Sequence, residues 1–439
     1  MVCAVVETFH NVINNELTST AVARHGINPA TAEPNPAVPV ATQEDLDKAV
    51  QAARAAFKAW FRSSFEERRA ALHAYADAIE ANIDGFSKTL TMEQGKPLSQ
   101  STTEVRMAGT WIRGLSSIEI PTITIEETED CKVIQRHTPM GGGAAAIVPW
   151  NFPVLLAVGK IVSAVYTGNT VIVKPSPFTP YCDLKLAELA TRFFPPGVVQ
   201  CPSGDDSLGP MMTEHPGIDK ISFTGSIATG RRVMASCSKT LKRVTLELGG
   251  NDPAIICDDV DVDAIIPKIC MIIKRLYVHE KIYDQFLEKL VTFVKSLNAG
   301  NGTDGDVFFG PVQNKMQFEN AEDLLNSISR EKLKARVVQE EAFALILPVM
   351  KWSDEEDVVK KANALETGLG ASVWSKDFER ATRIADQLES GVVWVNSHFG
   401  ASPTAPFGGY KQSGIGVEWG LTGLLGYCNS QTQWLKKCF

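Results

Sequence analysis

The 439-residue sequence predicts an α/β protein, and three observations carry that expectation. From Gly141 onwards, short apolar runs alternate with longer amphipathic segments, the pattern of a mostly parallel sheet covered by helices on both faces. The stretch before Gly141 has helical periodicity, opened twice by paired capping residues. The chain is also too long for one compact core, so two large units plus extensions are expected.

After a turn-rich opening around Asn28-Pro29, Pro34, Pro36 and Pro39, Thr42 with Asp45 predicts a capped helix through Leu46, Val50, Ala53 and Phe57. Ser64 and Glu67 form a second capping pair ahead of an amphipathic run to about Ile83. Gly95-Lys96-Pro97 breaks the pattern, and a third helical segment reaches Trp111. Residues 119–137 alternate about a turn at Thr128 to Asp130, which predicts a hairpin. AAAIVPW, TVIVKPS, GVVQC, KISFTG and RVTLELGG then read as strands, with helices after Pro153, through KLAELATRF and through SIATGRRVMASC. Everything up to Leu246 suits one cofactor-sized domain. Beyond Glu247, PAIICDD, KRLYVHE, GLGASVW and GVVWVN are further strands, with helices from Val262 and from Tyr283 to Leu297, enough for a second α/β unit.

Bulk properties exclude several function classes. A formal charge of −8 argues against a nucleic-acid surface, because neutralising phosphates needs clustered Lys and Arg. No run of about 20 apolar residues is present to span a bilayer. The opening residues lack the basic lead and apolar core of a secretory signal. The nine cysteines are scattered without paired short spacings, which fits a reducing compartment better than a disulfide framework. The expectation is a cytoplasmic protein with a small-molecule substrate, no metal, and neither nucleic acid nor membrane as partner.

The strongest local signals are Pro149-Trp150-Asn151-Phe152-Pro153, Lys174-Pro175-Ser176, Phe223-Thr224-Gly225-Ser226, Glu247-Leu248-Gly249-Gly250 and Pro406-Phe407-Gly408-Gly409-Tyr410-Lys411. Each falls at a strand end, where open α/β sheets collect ligands. Together and in this order they resemble the aldehyde dehydrogenase superfamily, over about Phe9 to Lys437, and look most like fungal NAD(P)-dependent members. The resemblance implies a Rossmann-type cofactor domain (1–118 and 141–246), a catalytic domain (247–426) and a small β element for oligomerisation (119–140 and 427–439). It also implies a homodimer or homotetramer that oxidises an aldehyde to a carboxylic acid.

The resemblance assigns roles residue by residue. Cys270 matches the nucleophile, Asn151 the amide that holds the oxyanion, and Glu247 the base that activates water for thioester hydrolysis. Lys174 matches the lysine on the adenosine ribose, with Ser176 beside it. Gly225 and Ser226 match the approach to the pyrophosphate, where glycine admits the backbone and a helix start offers free N–H groups. Glu341 matches the carboxylate on the nicotinamide ribose, Phe407 an aromatic near the nicotinamide, and Pro149 and Trp150 adjoin the same cofactor. Met107, Trp111, Trp150, His398 and Phe399 match the substrate entrance. Pro177 stands where many NAD-specific relatives carry an acid, so the cofactor is NAD or NADP.

Two segments are shorter than the family pattern, both in the catalytic half. Between Glu247 and Cys270 about a dozen residues are missing, roughly 16 Å of helix, and Cys270 follows Pro267-Lys268-Ile269 without the usual Gly-Gln turn. Ahead of Arg336 about 25 to 30 more are absent, a loss expected to expose sheet edges, and Ala344-Leu345 stands where Gly-Pro is expected. The alternative reading is therefore a catalytically impaired relative that retains cofactor binding.

Overall fold

The computed structural model describes residues 8–269, 272–331 and 335–437. Two α-helices near the start form as their caps require. Thr42 and Asp45 hydrogen-bond reciprocally ahead of Gln43–Trp60, and Ser64 and Glu67 do the same ahead of Phe65–Ala81. The second helix ends at Ala81 because Asn82 leaves helical geometry (φ −110°, ψ 20°), and a separate helix, Ile83–Gln94, follows. Periodicity alone does not separate the two. Gly95, at φ +91°, turns the chain left-handed before the helix Leu98–Ser116.

The first sheet has six strands in the order Gly414–Ile415, Arg243–Leu248, Ile218–Gly225, Gly143–Ile147, Thr170–Lys174, Val199–Gln200. All pairings are parallel except that of Gly414–Ile415, which returns from far along the chain to run antiparallel to Arg243–Leu248. Alternate side chains feed opposite faces: Val171 and Val173 enter one apolar cluster, Ile172 the other. The helix Pro153–Tyr166 is buried on every side, packed between this sheet and Leu98–Ser116. Each such fully buried aliphatic side chain contributes about 1.5–3 kcal/mol.

The second sheet is parallel throughout, in the order Val349–Trp352, Arg275–His279, Pro253–Ile256, Gly370–Trp374, Val392–Val395. Val349–Trp352 was not expected from sequence. It pairs Leu276 with Val349 through to His279 with Trp352, so the shortened stretch leaves a contiguous sheet with a four-residue edge strand. A third, antiparallel sheet joins Cys428–Lys436 to the hairpin of Ile123–Glu127 and Cys131–Pro139, in unbroken register from Cys428↔Pro139 to Lys436↔Cys131. No helix among the described residues is long and apolar enough to cross a membrane.

Candidate active site

Strand order reverses between Gly143–Ile147 and Ile218–Gly225, because the chain builds outward on one side and then returns to build on the other. Ligands of open α/β sheets bind outside the carboxyl ends at such a switch point. Lys174, Ile147, Phe223 and Leu246 are paired in one row across four strands. The motifs at Pro149–Asn151, Lys174–Ser176, Gly225–Ser226 and Glu247 therefore all leave the same edge. Lys174 and Glu247 stand three strand spacings apart, roughly 14 Å, a span suited to an extended dinucleotide.

Glu247 lies at the end of its strand, 9% exposed, and its carboxylate accepts a hydrogen bond from the Thr224 hydroxyl at 3.0 Å. Burial raises its pKa above the ordinary glutamate value; Lys160 and Thr224 oppose the shift and Glu418 adds to it. The backbone around it is clamped from the far end of the chain: Leu248 N–H donates to Ser413 O at 2.8 Å, and Ser413 Oγ donates to Gly249 O at 2.7 Å.

Behind Glu247 is a buried ion pair that sequence reading missed. Lys160 Nζ lies 2.8 Å from Glu418 Oε1, and Ser222 bonds to both. Burial disfavours the charge on Glu418, but Lys160, Ser222 and Lys220 outweigh it and hold that carboxyl below its usual range. The signal was present in part, since Lys160 is the one charged residue in the apolar helix PVLLAVGKIVSAVY. Its partner, in a loop 258 residues away, carries no comparable mark.

Asn151 is held by its backbone. Lys96 Nζ donates to Asn151 O at 2.9 Å, is ion-paired with Glu104, and stands 4.1 Å over the Phe152 ring. Glu104 in turn accepts from Leu155 N–H at 3.1 Å. The pair thus frames both ends of the turn into the helix Pro153–Tyr166. Among the described residues Asn151 Oδ1 is buried without a hydrogen-bond partner.

The remaining residues take separate positions. Lys174 is 5% exposed; among the described residues its one hydrogen bond goes to Pro175 O at 3.2 Å, and burial pushes its pKa down to about 8. Ser176 is buried, and its hydroxyl accepts from Phe178 N–H. Ser226 is exposed and caps the helix Ile227–Ser238, accepting from Thr229 N–H at 3.2 Å. Trp150 meets Phe343 edge-on with ring centroids 5.1 Å apart, and Pro149 beside it is half-buried. Glu341 reaches the Glu247 loop so closely that a Cβ on Gly249 would fall 2.6 Å from its carboxylate. Asn251 Nδ2, donating to Val338 O at 2.9 Å, holds that segment in place, and burial pushes the Glu341 pKa up to about 7. Phe407 packs on Trp419 at 5.3 Å and exchanges backbone hydrogen bonds with Glu418. Trp111 is buried against Trp419, while Phe399 pairs with Phe152 and His398 bonds to Ser372. Cys270 lies outside the described residues, between the helix Val262–Ile269 and Ile272.

The residues present fit a nicotinamide dinucleotide: a buried lysine without an ion-pair partner among the described residues at one end of the row, a helix start in the middle, and Glu247 with Glu341 at the other. Comparisons with known proteins agree. The model of the aldehyde dehydrogenase family matches residues 18–335 and 328–433. The aldehyde dehydrogenase LUC3 of Fusarium is 37% identical over 469 aligned positions, covering 98% of this chain and 99% of that protein. That span exceeds the chain's 439 residues, so LUC3 has positions this chain lacks. An NAD+ complex of aldehyde dehydrogenase from Bacillus cereus superposes with a TM-score of 0.95 at 30% identity, covering 98% of this chain and 97% of that one. An NADP-dependent enzyme of E. coli gives 0.93 at 31% identity, with 97% and 98% covered. The chain belongs to the aldehyde dehydrogenase family and, with it, to the NAD(P)-dependent oxidoreductases that act on aldehydes.

Proposed function

We propose that this chain oxidises its aldehyde through covalent catalysis, with Cys270 as nucleophile, Asn151 as oxyanion donor and Glu247 as base. The single observation that supports the reading is the common edge of the first sheet, from which the motifs of Asn151, Lys174, Ser226 and Glu247 all leave. The Cys270 thiolate adds to the aldehyde carbon, and the carbonyl oxygen becomes an oxyanion that accepts from the Asn151 side-chain N–H. A bound NAD(P)+ would supply the hydride acceptor, and loss of hydride from this carbon would leave a thioester on Cys270. Glu247 takes a proton from water, which attacks the thioester and releases the carboxylic acid and the thiol. A carboxyl held above its ordinary pKa is a better base than a free glutamate, and Lys160–Glu418 lies close enough to bias its charge. Lys174 and Ser176 would hold the adenosine end, Gly225 and Ser226 the pyrophosphate, and Glu341, Phe407, Pro149 and Trp150 the nicotinamide end.

By the same reading, residues 1–118 and 141–246 form the cofactor unit, and 247–426 the catalytic unit. Residues 119–140 with 427–439 form a bridging sheet. Ile123, Ile125, Trp434 and Leu435 are exposed on that sheet, which supports a homodimer or homotetramer assembled through it. The six described cysteines are all free, which supports a reducing, cytoplasmic setting.

The test is NAD(P)H production from a panel of short aliphatic and aromatic aldehydes, read by absorbance, beside a Cys270→Ser control. Turnover in the parent and none in the control is the expected result. A folded protein that binds cofactor but never reduces it would overturn the reading in favour of a cofactor-binding relative without oxidation chemistry.

A further inference from the structure

We infer that Arg24, together with Lys174, seats the 2′-phosphate of NADP, making Arg24 a specificity residue for the cofactor. The inference rests on the reading of Lys174 as the adenosine-ribose contact. Arg24 lies on the strand Ala23–Ile27, far from every motif that marks the site in the sequence. Its Nη1 donates to Pro177 O at 2.6 Å and, more weakly, to Gly204 O at 3.4 Å. The guanidinium therefore bridges the two loops that leave the neighbouring strands Thr170–Lys174 and Val199–Gln200, beside the lysine.

Three features point to an anionic ligand there. Both hydrogen bonds of Arg24 come from one nitrogen, so among the described residues its Nε and Nη2 carry no protein partner, and a guanidinium has five N–H donors arranged as a fork. Neither Arg24 nor Lys174 makes an ion pair with any described carboxylate, although Arg24 is half-buried and Lys174 is 5% exposed. The nearest acids, Asp205 and Asp206, are exposed, and one oxygen of Asp205 is already taken by the Ser207 N–H and hydroxyl. Burial lowers the pKa of both cations, a cost that a phosphate between them would relieve. Finally, Pro177 offers no carboxylate to bind a free ribose hydroxyl or to repel a phosphate, whereas an arginine nearby, as Arg24 is, accommodates one. Asp205 and Asp206 work against the phosphate, but from the solvent side, where screening is strong.

The test compares two probes that differ only in the group at issue. Calorimetric titration of the full chain with adenosine 2′,5′-bisphosphate and with adenosine 5′-monophosphate reads the preference without any need for turnover. The parent is expected to bind the bisphosphate at least roughly tenfold more tightly, and Arg24→Gln to bring the ratio close to one. Because the ratio is taken within one protein, a general weakening of the variant does not affect it. Equal binding of both probes by the parent, or an unchanged ratio in Arg24→Gln, overturns the role of Arg24 while leaving the cofactor site intact. Failure of a folded parent to bind either probe overturns the reading of Lys174 as well.

Discussion

Glu247 and Lys96 show how single side chains are tuned by what surrounds them. On the proposed mechanism Glu247 acts only after hydride has left the substrate, so Glu247→Gln should retain a first burst of NAD(P)H while steady-state turnover falls on the order of 10²–10⁴-fold. Stopped-flow absorbance separates the phases, and loss of the burst along with the steady state would remove Glu247 from the hydrolytic step. Lys96 acts through others. Lys96→Met leaves Glu104, 1% exposed, as a buried charge without its partner, at a cost of about 3–5 kcal/mol. It also frees the Asn151 carbonyl, and on the proposed mechanism a shift of about 1 Å in the Asn151 amide should lower kcat about a hundredfold. Lys96→Arg, which keeps the charge, should recover more kcat than stability. A variant that loses stability while keeping full kcat would confine Lys96 to packing.

Secondary-structure elements were legible where their signals are local. The two capping boxes form where Thr42/Asp45 and Ser64/Glu67 stand, and the hairpin turns at Thr128 as its residues require. Thr42→Ala and Ser64→Ala should each lower stability by about 1 kcal/mol, and additively, because the two helices cap independently. Urea unfolding checks this, and a double variant far from the sum would mean that the caps share a partner. The strand Val349–Trp352 was not legible. VMKW is short, does not alternate, and is held by Arg275–His279 rather than by its own propensity. The break at Asn82 was missed for a related reason: apolar periodicity continues through Ile83 while the backbone does not.

At the scale of the whole molecule, many carboxyls are buried. Burial pushes Glu93, Asp252 and Glu341 each up to about 7. These groups hold protons in the folded state that the unfolded chain releases near 4.5 for glutamate and 3.8 for aspartate. Their contribution is therefore complete below those values and is lost as pH rises towards about 7. His398, pushed down to about 4 by burial, and His73, also lowered by burial, work the other way over part of this window, but the buried Glu247 and Asp183, raised as well, add to the three carboxyls. The melting temperature should fall between about pH 5 and pH 7, with protons released on unfolding near pH 6. Scanning calorimetry in buffers of different ionisation enthalpy measures both, and a melting temperature that rises across the window would contradict the assignment.

The sequence alone determined the α/β class, the strand–helix alternation from Gly141 to Leu246 and the order of the five motifs. These depend on periodicity and turn chemistry within a few residues of each position. Only the tertiary structure decided which ends meet. It placed Lys160 on Glu418, Lys96 on Asn151, Ser413 on Gly249, and Arg24 on the Pro177 loop. Buried charges are stable only when paired or hydrogen-bonded, and their partners lie up to 258 residues away. No local pattern records such a pairing, because it forms only when the sheets close around it.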